Sequence, residues 1–275
     1  MKEYKEKHYE KGQMLLLAIL VMAVILIVGL SIGARMVTNV RTTQEEANSE
    51  RAFSAAEAGI EQSLATSFVG SGALQNRTSY ATSQTSFEGV ELLLNNGAPN
   101  FKDEAIDIWL TDYPNYSTLW NGDVTLYWGQ ASDVCVESEL NNTMAALEII
   151  VISGTKVNPV NTTYAVDPCS PRTVFNHFEY IPSSGGVVGG KVFAYKKTIT
   201  VTSGLLIRTI PLYSSTVFAA KGCNSAGTSC LTLPTQGKIV QSVGTADNTQ
   251  RKIMSFQGYP KLPTEALPFV LFSPR

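Results

Sequence analysis

Residues 14–34 form a run of 21 amino acids without a charge, in which Ser31 is the one clearly polar side chain. Wound as an α-helix, the run rises about 1.5 Å per residue, roughly 31 Å in all, enough to cross a hydrocarbon core. A helix that is apolar all round has to be covered on every side, so the rest of the chain is arranged about a membrane-spanning rod. Lysines and arginines set the orientation of such spans. Lys2, Lys5, Lys7 and Lys11 precede the run, whereas Arg35 and Arg41 follow it. The N-terminus is therefore expected inside and the chain beyond residue 34 outside. A cleaved secretory signal, with Ser31-Ile32-Gly33 as a passable site, and a plain signal anchor are two readings of the run. A third comes from its flanks.

Upstream, Lys11-Gly12-Gln13-Met14 sets a basic residue and a glycine directly before the apolar stretch. Downstream, residues 35–66 contain no proline and a single glycine, Gly59, and are dense in good helix formers. One helix over 13–66 would be roughly 80 Å long. That length exceeds what an anchor needs and suits a subunit that packs helix against helix. At 100° per residue, Phe53, Ala56, Ile60 and Leu64 share one face, while Met36, Val37, Val40 and Ala47 lie on nearly the opposite one. Docking of the upper half on its own globular head, with the lower half against neighbouring chains, accounts for the switch. A helix twisting over a single core accounts for it too. Glu57 borders the upper stripe, either as a solvated edge residue or as a partly buried carboxylate needing a partner.

The boundary Lys11-Gly12-Gln13, the apolar helix and above all Ala52-Phe53-Ser54-Ala55-Ala56-Glu57-Ala58-Gly59-Ile60-Glu61 resemble type IV pilins, most closely minor pilins of the PilX type. The resemblance covers about the first 65 residues. It implies a cytoplasmic leader at 1–12 cut by a prepilin peptidase between Gly12 and Gln13, N-methylation of Gln13, and a helix that leaves the bilayer for a filament. It also implies an inner-membrane protein whose head is outside, and an extracellular filament after assembly. Its partners would be other pilins and minor pilins through the helix, the peptidase, an inner-membrane assembly platform and the lipid bilayer. Major pilins usually carry a glutamate at the fifth mature position, where this chain has Leu17. An unpaired ammonium buried in an apolar bundle is costly, which favours a minor, initiating or tip subunit over a bulk one. Leu17, Gly29, Gly33, Val37 and Val40 would form the filament-packing face, the small residues permitting close approach. Phe53, Ala56, Glu57, Gly59 and Ile60 make up the pilin-like motif.

The rest reads as an exported, β-rich head. Residues 66–86 are rich in serine and threonine and read as a loop or connector. Residues 124–128, 147–152, 193–201 and 205–212 carry strand patterns. Residues 238–243 and 252–256 read as a hairpin about a loop at 244–250. Residues 258–275, with four prolines and Phe269-Val270-Leu271-Phe272, read as a tail returning over the head. The expected fold class is α+β. A transmembrane half-helix spans 13–34 and an amphipathic half spans 35–66. A disulfide-bonded antiparallel head follows at 67–275, with a connector and first lobe at 67–122 and a main sheet at 123–275. All four cysteines lie beyond the membrane run, which favours an oxidising compartment. Four cysteines allow three pairings. The favoured one is Cys223–Cys230, closing a short loop, with Cys135–Cys169. The spacings lack the close C-x₂₋₄-C pairs of a zinc site.

Nothing in the sequence builds a catalytic constellation, and neither a cofactor nor a metal is expected. Gly-x-Ser-x-Gly and phosphate-loop patterns are absent. With only His8 and His177, a histidine-built metal site is not expected, and His177 between aromatics reads as structural. Asp103, Glu104 and Asp107 read as a solvated acidic face, with a calcium ligand set as the rival reading although EF-hand spacing is missing. The net charge is −2, so a general nucleic-acid binder is not expected. Lys191, Lys196, Lys197 and Arg208 are candidates for a small basic patch on the sheet, and DNA is not an expected partner. The rival readings are an unprocessed, membrane-anchored binding or adhesion module and a pseudopilin of a type II-like secretion system.

Overall fold

The computed structural model describes residues 10–136, 142–227 and 229–261, with side chains from Met14 onward. In chain order the elements are α1 (Glu10–Thr66), β1 (Gly70–Ala73), β2 (Thr78–Ser86), β3 (Glu91–Leu93), β4 (Ile106–Trp109), β5 (Trp120–Trp128), β6 (Ala146–Gly154), β7 (Pro159–Asp167), α2 (Ser170–Asn176), β8 (Glu179–Tyr180), β9 (Gly186–Val188), β10 (Lys191–Phe193), β11 (Tyr195–Leu212), β12 (Phe218–Cys223), β13 (Gly237–Ala246) and β14 (Thr249–Gly258). The class is α+β: one long apolar N-terminal helix, then a mostly antiparallel β-sheet head with two disulfides.

The chain divides into two compact units, Met1–Ser83 with Val240–Ser255, and Gln84–Ile239 with Phe256–Arg275. This differs from a division at residue 122. A period-two reading finds strands but not their partners, and two late strands join the helix while β3 and β4 join the sheet of β5.

In the first unit α1 packs on a sheet of order β1-β2-β13-β14. β1 and β2 are antiparallel, with Gly70 opposite Thr82 and Ala73 opposite Ser79. The stretch expected as a connector is thus a hairpin. Its alternation is carried by Thr78, Tyr80 and Thr82, which are buried, against exposed Ser79, Ala81 and Ser83. Threonine and tyrosine sit well on a half-buried pleat, but a search for aliphatic residues passes over them. The turn suits the tight link, because Asn76 and Arg77 both have positive φ and asparagine tolerates that region. The late hairpin is real but longer than its apolar residues suggest, and only Asp247 and Asn248 separate β13 from β14.

The second unit is built on an eight-stranded sheet, β3-β12-β5-β11-β6-β7-β8, with β4 also paired to β11. β11 is its spine. Residues 195–204 pair antiparallel with β5, and residues 204–212 with β6, with irregular register around Gly204. Ser203 there has φ 52°, which lets the strand shift partner without ending. Trp128, Phe218, Leu126, Leu147, Ile149 and Ile207 are fully buried. The buried indole N–H of Trp128 donates to Ala145 O at 3.0 Å.

Two disulfides tie this unit, Cys135–Cys169 and Cys223–Cys230. Beside the first lies a buried ion pair. Arg172 donates from Nε to Asp167 Oδ2 at 3.0 Å and from Nη2 to Oδ1 at 2.7 Å. Cys169 N–H and Asn176 Nδ2 donate to the same carboxylate, and the guanidinium stacks 4.3 Å from the Tyr213 ring centre. Satisfying both oxygens is what makes burial of this charge tolerable. His177 ends α2 in the left-handed conformation, its N–H donating to Thr173 O; it caps a helix.

Candidate functional site

The chain offers two surfaces of functional interest, one on the helix and one on the second unit. The first is the membrane-proximal part of α1. From Met14 to Val40 its large aliphatic side chains are exposed, Leu17 at 66%, Val37 at 54% and Val40 at 62%. Nothing approaches within 4 Å of a side chain built on Gly29 or Gly33. Among the described helices this is the one long and apolar enough to cross a membrane. Gly12 and Gln13 belong to the backbone of α1, while their side chains and residues 1–9 lie outside the described residues. Thr38, Thr42 and Thr43 fold their hydroxyls back onto the carbonyls of Ala34, Thr38 and Asn39. These three hydroxyls are therefore satisfied within the helix where it leaves its apolar section.

Further along, the docked face is not the one expected. Asn48, Ala52, Ala55, Ala56, Gly59, Ile60 and Ser63 are buried, whereas Phe53 (47%) and Leu64 (37%) are exposed. The buried stripe lies about 100° round the helix from Phe53. The cause is close backbone approach. A Cβ on Gly244 of β13 would overlap Ala52 O and Ala56 N, and one on Gly59 would overlap Ser242 Oγ and come 2.9 Å from Tyr80 Cδ2. Only small residues fit between helix and sheet there. Of the motif, Ala56, Gly59 and Ile60 are buried in the docked stripe, while Phe53 and Glu57 face outward. Large apolar side chains are thus a poor guide to the contact; the Ala/Gly/Ser spacing was the available signal. Polar clasps flank the stripe: Arg251 Nε donates to Ser49 Oγ at 2.8 Å, Arg51 pairs with Asp247 at 3.5 Å, and Tyr80 Oη donates to Gln62 Oε1.

The second surface is a cavity of about 400 Å³ within the second unit, walled by Phe87, Phe101, Ile106, Trp109, Phe256 and Tyr259. Phe101 is 70% exposed. Among the described residues Asn100 Nδ2 is buried without a hydrogen-bond partner, and Glu104 pairs with Lys261 at 3.1 Å. Gln236 closes one side by bonding both ways to the Trp109 backbone, at 2.7 and 2.9 Å. Tyr113, Tyr116 and Tyr259 extend the aromatic cluster from Trp109, with ring centres 4.9–6.2 Å apart. Below them Asp112 accepts from Ser117 Oγ and the Thr118 N–H, which hold its carboxyl well below the usual carboxylate range.

The charged clusters read from sequence separate in the fold. The Asp107 side chain is only 5% exposed and receives two hydrogen bonds from Arg208 at 2.7 and 2.8 Å, so Asp103, Glu104 and Asp107 do not form one solvated acidic face. Nor do the four cations form a patch. Arg208 is committed to Asp107, Lys197 to Glu179, and Lys191 Nζ to Gly97 O. The signal lost in sequence was separation, since Asp107 and Arg208 stand 101 positions apart. Elsewhere Glu91 is lowered by the Gly189 N–H and by Lys221, and burial raises Asp133 and Glu148. Among the described residues no group of three His, Cys, Asp or Glu side chains is placed to hold a metal. The tail beyond Lys261 lies outside the described residues.

No family model, no curated protein and no solved structure matches the chain.

Proposed function

We propose that the chain is a structural minor subunit, initiating or tip, of a type IV pilus-like filament. One observation carries the reading. A single unbroken helix is bare and apolar over one stretch and buried by a small-residue stripe in its own sheet over the next. An anchor needs only the first part. A subunit that must present a rigid rod to its neighbours needs both.

On this reading the leader 1–12 is cut from the cytoplasmic side between Gly12 and Gln13, and the rod moves from lipid into a bundle of like helices. Its apolar surface stays out of water throughout, so the transfer is close to neutral in hydrophobic energy. Packing at Gly29 and Gly33 then decides association. Leu17 offers no carboxylate to a neighbour's terminal ammonium, which suits an end position. No catalytic step is part of the proposal, and a secretion-system pseudopilin would share helix and processing.

The test is the mature N-terminus by intact-mass spectrometry. A chain starting at methylated Gln13, recovered from sheared surface fibres, supports assembly, and Gly12→Ala should block the cut. Retention of Met1 on protein missing from fibres overturns it. The aromatic cavity favours one second reading, an unprocessed anchored module whose head binds a ligand; a chain that keeps Met1 and binds through that cavity would be its signature.

A further inference from the structure

The tripeptide Asn-x-Ser/Thr, with x other than proline, is the acceptor pattern for N-linked glycans on exported chains. It occurs here at Asn76, Asn115, Asn141 and Asn161. Asn141 lies outside the described residues. The pattern is common, so the fold has to discriminate among the other three. All three asparagines are exposed, and no hydrogen bond among the described residues engages their side-chain amides. By contrast, Asn48, Asn95, Asn121, Asn142 and Asn176 each hold hydrogen bonds through theirs.

The hydroxyls two residues on differ. Thr78 is buried and donates to Gln75 O at 2.6 Å. Ser117 donates to Asp112. Thr163 has no such engagement, and in β7 it projects from the same face as Asn161, because side chains alternate along a strand. Asparagine is also disfavoured in strands, and Asn161 has no turn to make. Among the described residues its stretch of β7 is an open edge. Residues 159–165 pair with β6, while β8 joins β7 only at Val166 and Asp167. Residues 159–162 are all exposed, with Val160 at 59%. An exposed strand edge is a template for unwanted pairing unless something blunts it.

We propose that Asn161 is an N-glycosylation site whose glycan covers the open edge of β7. The proposal rests on the head being outside the membrane. The co-reactant is a lipid-linked (pyro)phosphoryl oligosaccharide. Asn161 Nδ2 attacks the anomeric carbon, a C–N bond forms, and the C–O bond to phosphate breaks. The phosphate leaves with the electron pair, and the amide nitrogen gives up one proton. Modification of the folded chain favours Asn161 over Asn76 and Asn115, whose partner hydroxyls are already bound.

The experiment takes the full chain from its native cells. Peptides spanning the three sites are mapped by mass spectrometry before and after enzymatic glycan release in heavy-oxygen water, and external protease on intact cells reports where the head lies. The expected result is a sugar mass on the Asn161 peptide, converted to labelled aspartate on release, with lower occupancy at the other two. Both Asn161→Gln and Thr163→Val should abolish it, the latter with Asn161 intact. An unmodified Asn161 peptide on a protease-accessible head overturns the site and leaves the export reading standing. An unmodified peptide on a protected head overturns both. Modification that survives Thr163→Val overturns the tripeptide as its basis.

Discussion

The two units reach a packed interior by opposite means. In the first, the helix meets its sheet through alanine, glycine and serine, and closeness of backbones does what bulk does elsewhere. In the second, tryptophan, phenylalanine and branched aliphatics fill the space, and disulfides and buried ion pairs hold the margins. Apolar mass therefore does not locate the contact. The greasiest segment of the chain, 14–34, is unburied among the described residues, whereas the tightest contact on α1 is made by its smallest residues.

The contrast can be broken most forcefully at the buried charges of the second unit. Arg172→Leu strands Asp167 without its countercharge and should cost about 3–5 kcal/mol, read by denaturant unfolding of the full chain in detergent. A loss below about 1 kcal/mol would show that the pair holds little. Cys135→Ser opens a loop with a sequence separation of 34 and Cys223→Ser one of 7, so roughly 4 and roughly 2 kcal/mol are expected in the same assay on loop-entropy grounds. Equal losses would place the effect in native contacts instead. In the first unit, Gly244→Ala pushes a methyl into the backbone of Ala52 and Ala56 and should cost about 3 kcal/mol, at the upper end of overpacking because backbone cannot rotate away. Phe53→Ala, on the exposed side, should cost less than about 0.5 kcal/mol. The reverse order would return the docked face to Phe53.

The smallest effect sharpens the comparison through pH. Burial raises the Glu148 carboxyl in the folded second unit, so the folded state holds that proton more tightly than the unfolded one. The stability it contributes is present below the unfolded pKa and is lost as pH rises through the folded pKa. Glu148→Gln should therefore flatten the pH dependence of unfolding between the unfolded and the raised folded pKa, and be more stable than the parent at a pH above both. An unchanged slope would remove burial as its cause.

Much of this architecture could be read in advance where one side chain announces its own environment. The apolar run with its proline-free continuation, and the alternation through β5, β6 and β11, are of that kind. What escaped depended on a partner. The serine- and threonine-rich hairpin has no greasy side to its pattern, yet Thr78, Tyr80 and Thr82 are buried because β13 and α1 lie there. Asp107 looked like one of three local acids until Arg208 arrived from a strand far along the chain. The aromatic cavity is assembled from residues 87–109 and 236–261, and no short window contains it.

The continuity of α1 has a mechanical consequence. Its 57 residues contain no proline, so no fixed hinge interrupts the ladder of backbone bonds. A tug on the sheet clamped to Ala52 and Ala56 is passed lengthwise to the bare apolar end, with every peptide group between loaded in series. Such a rod resists stretching and transmits strain from one extremity to the other.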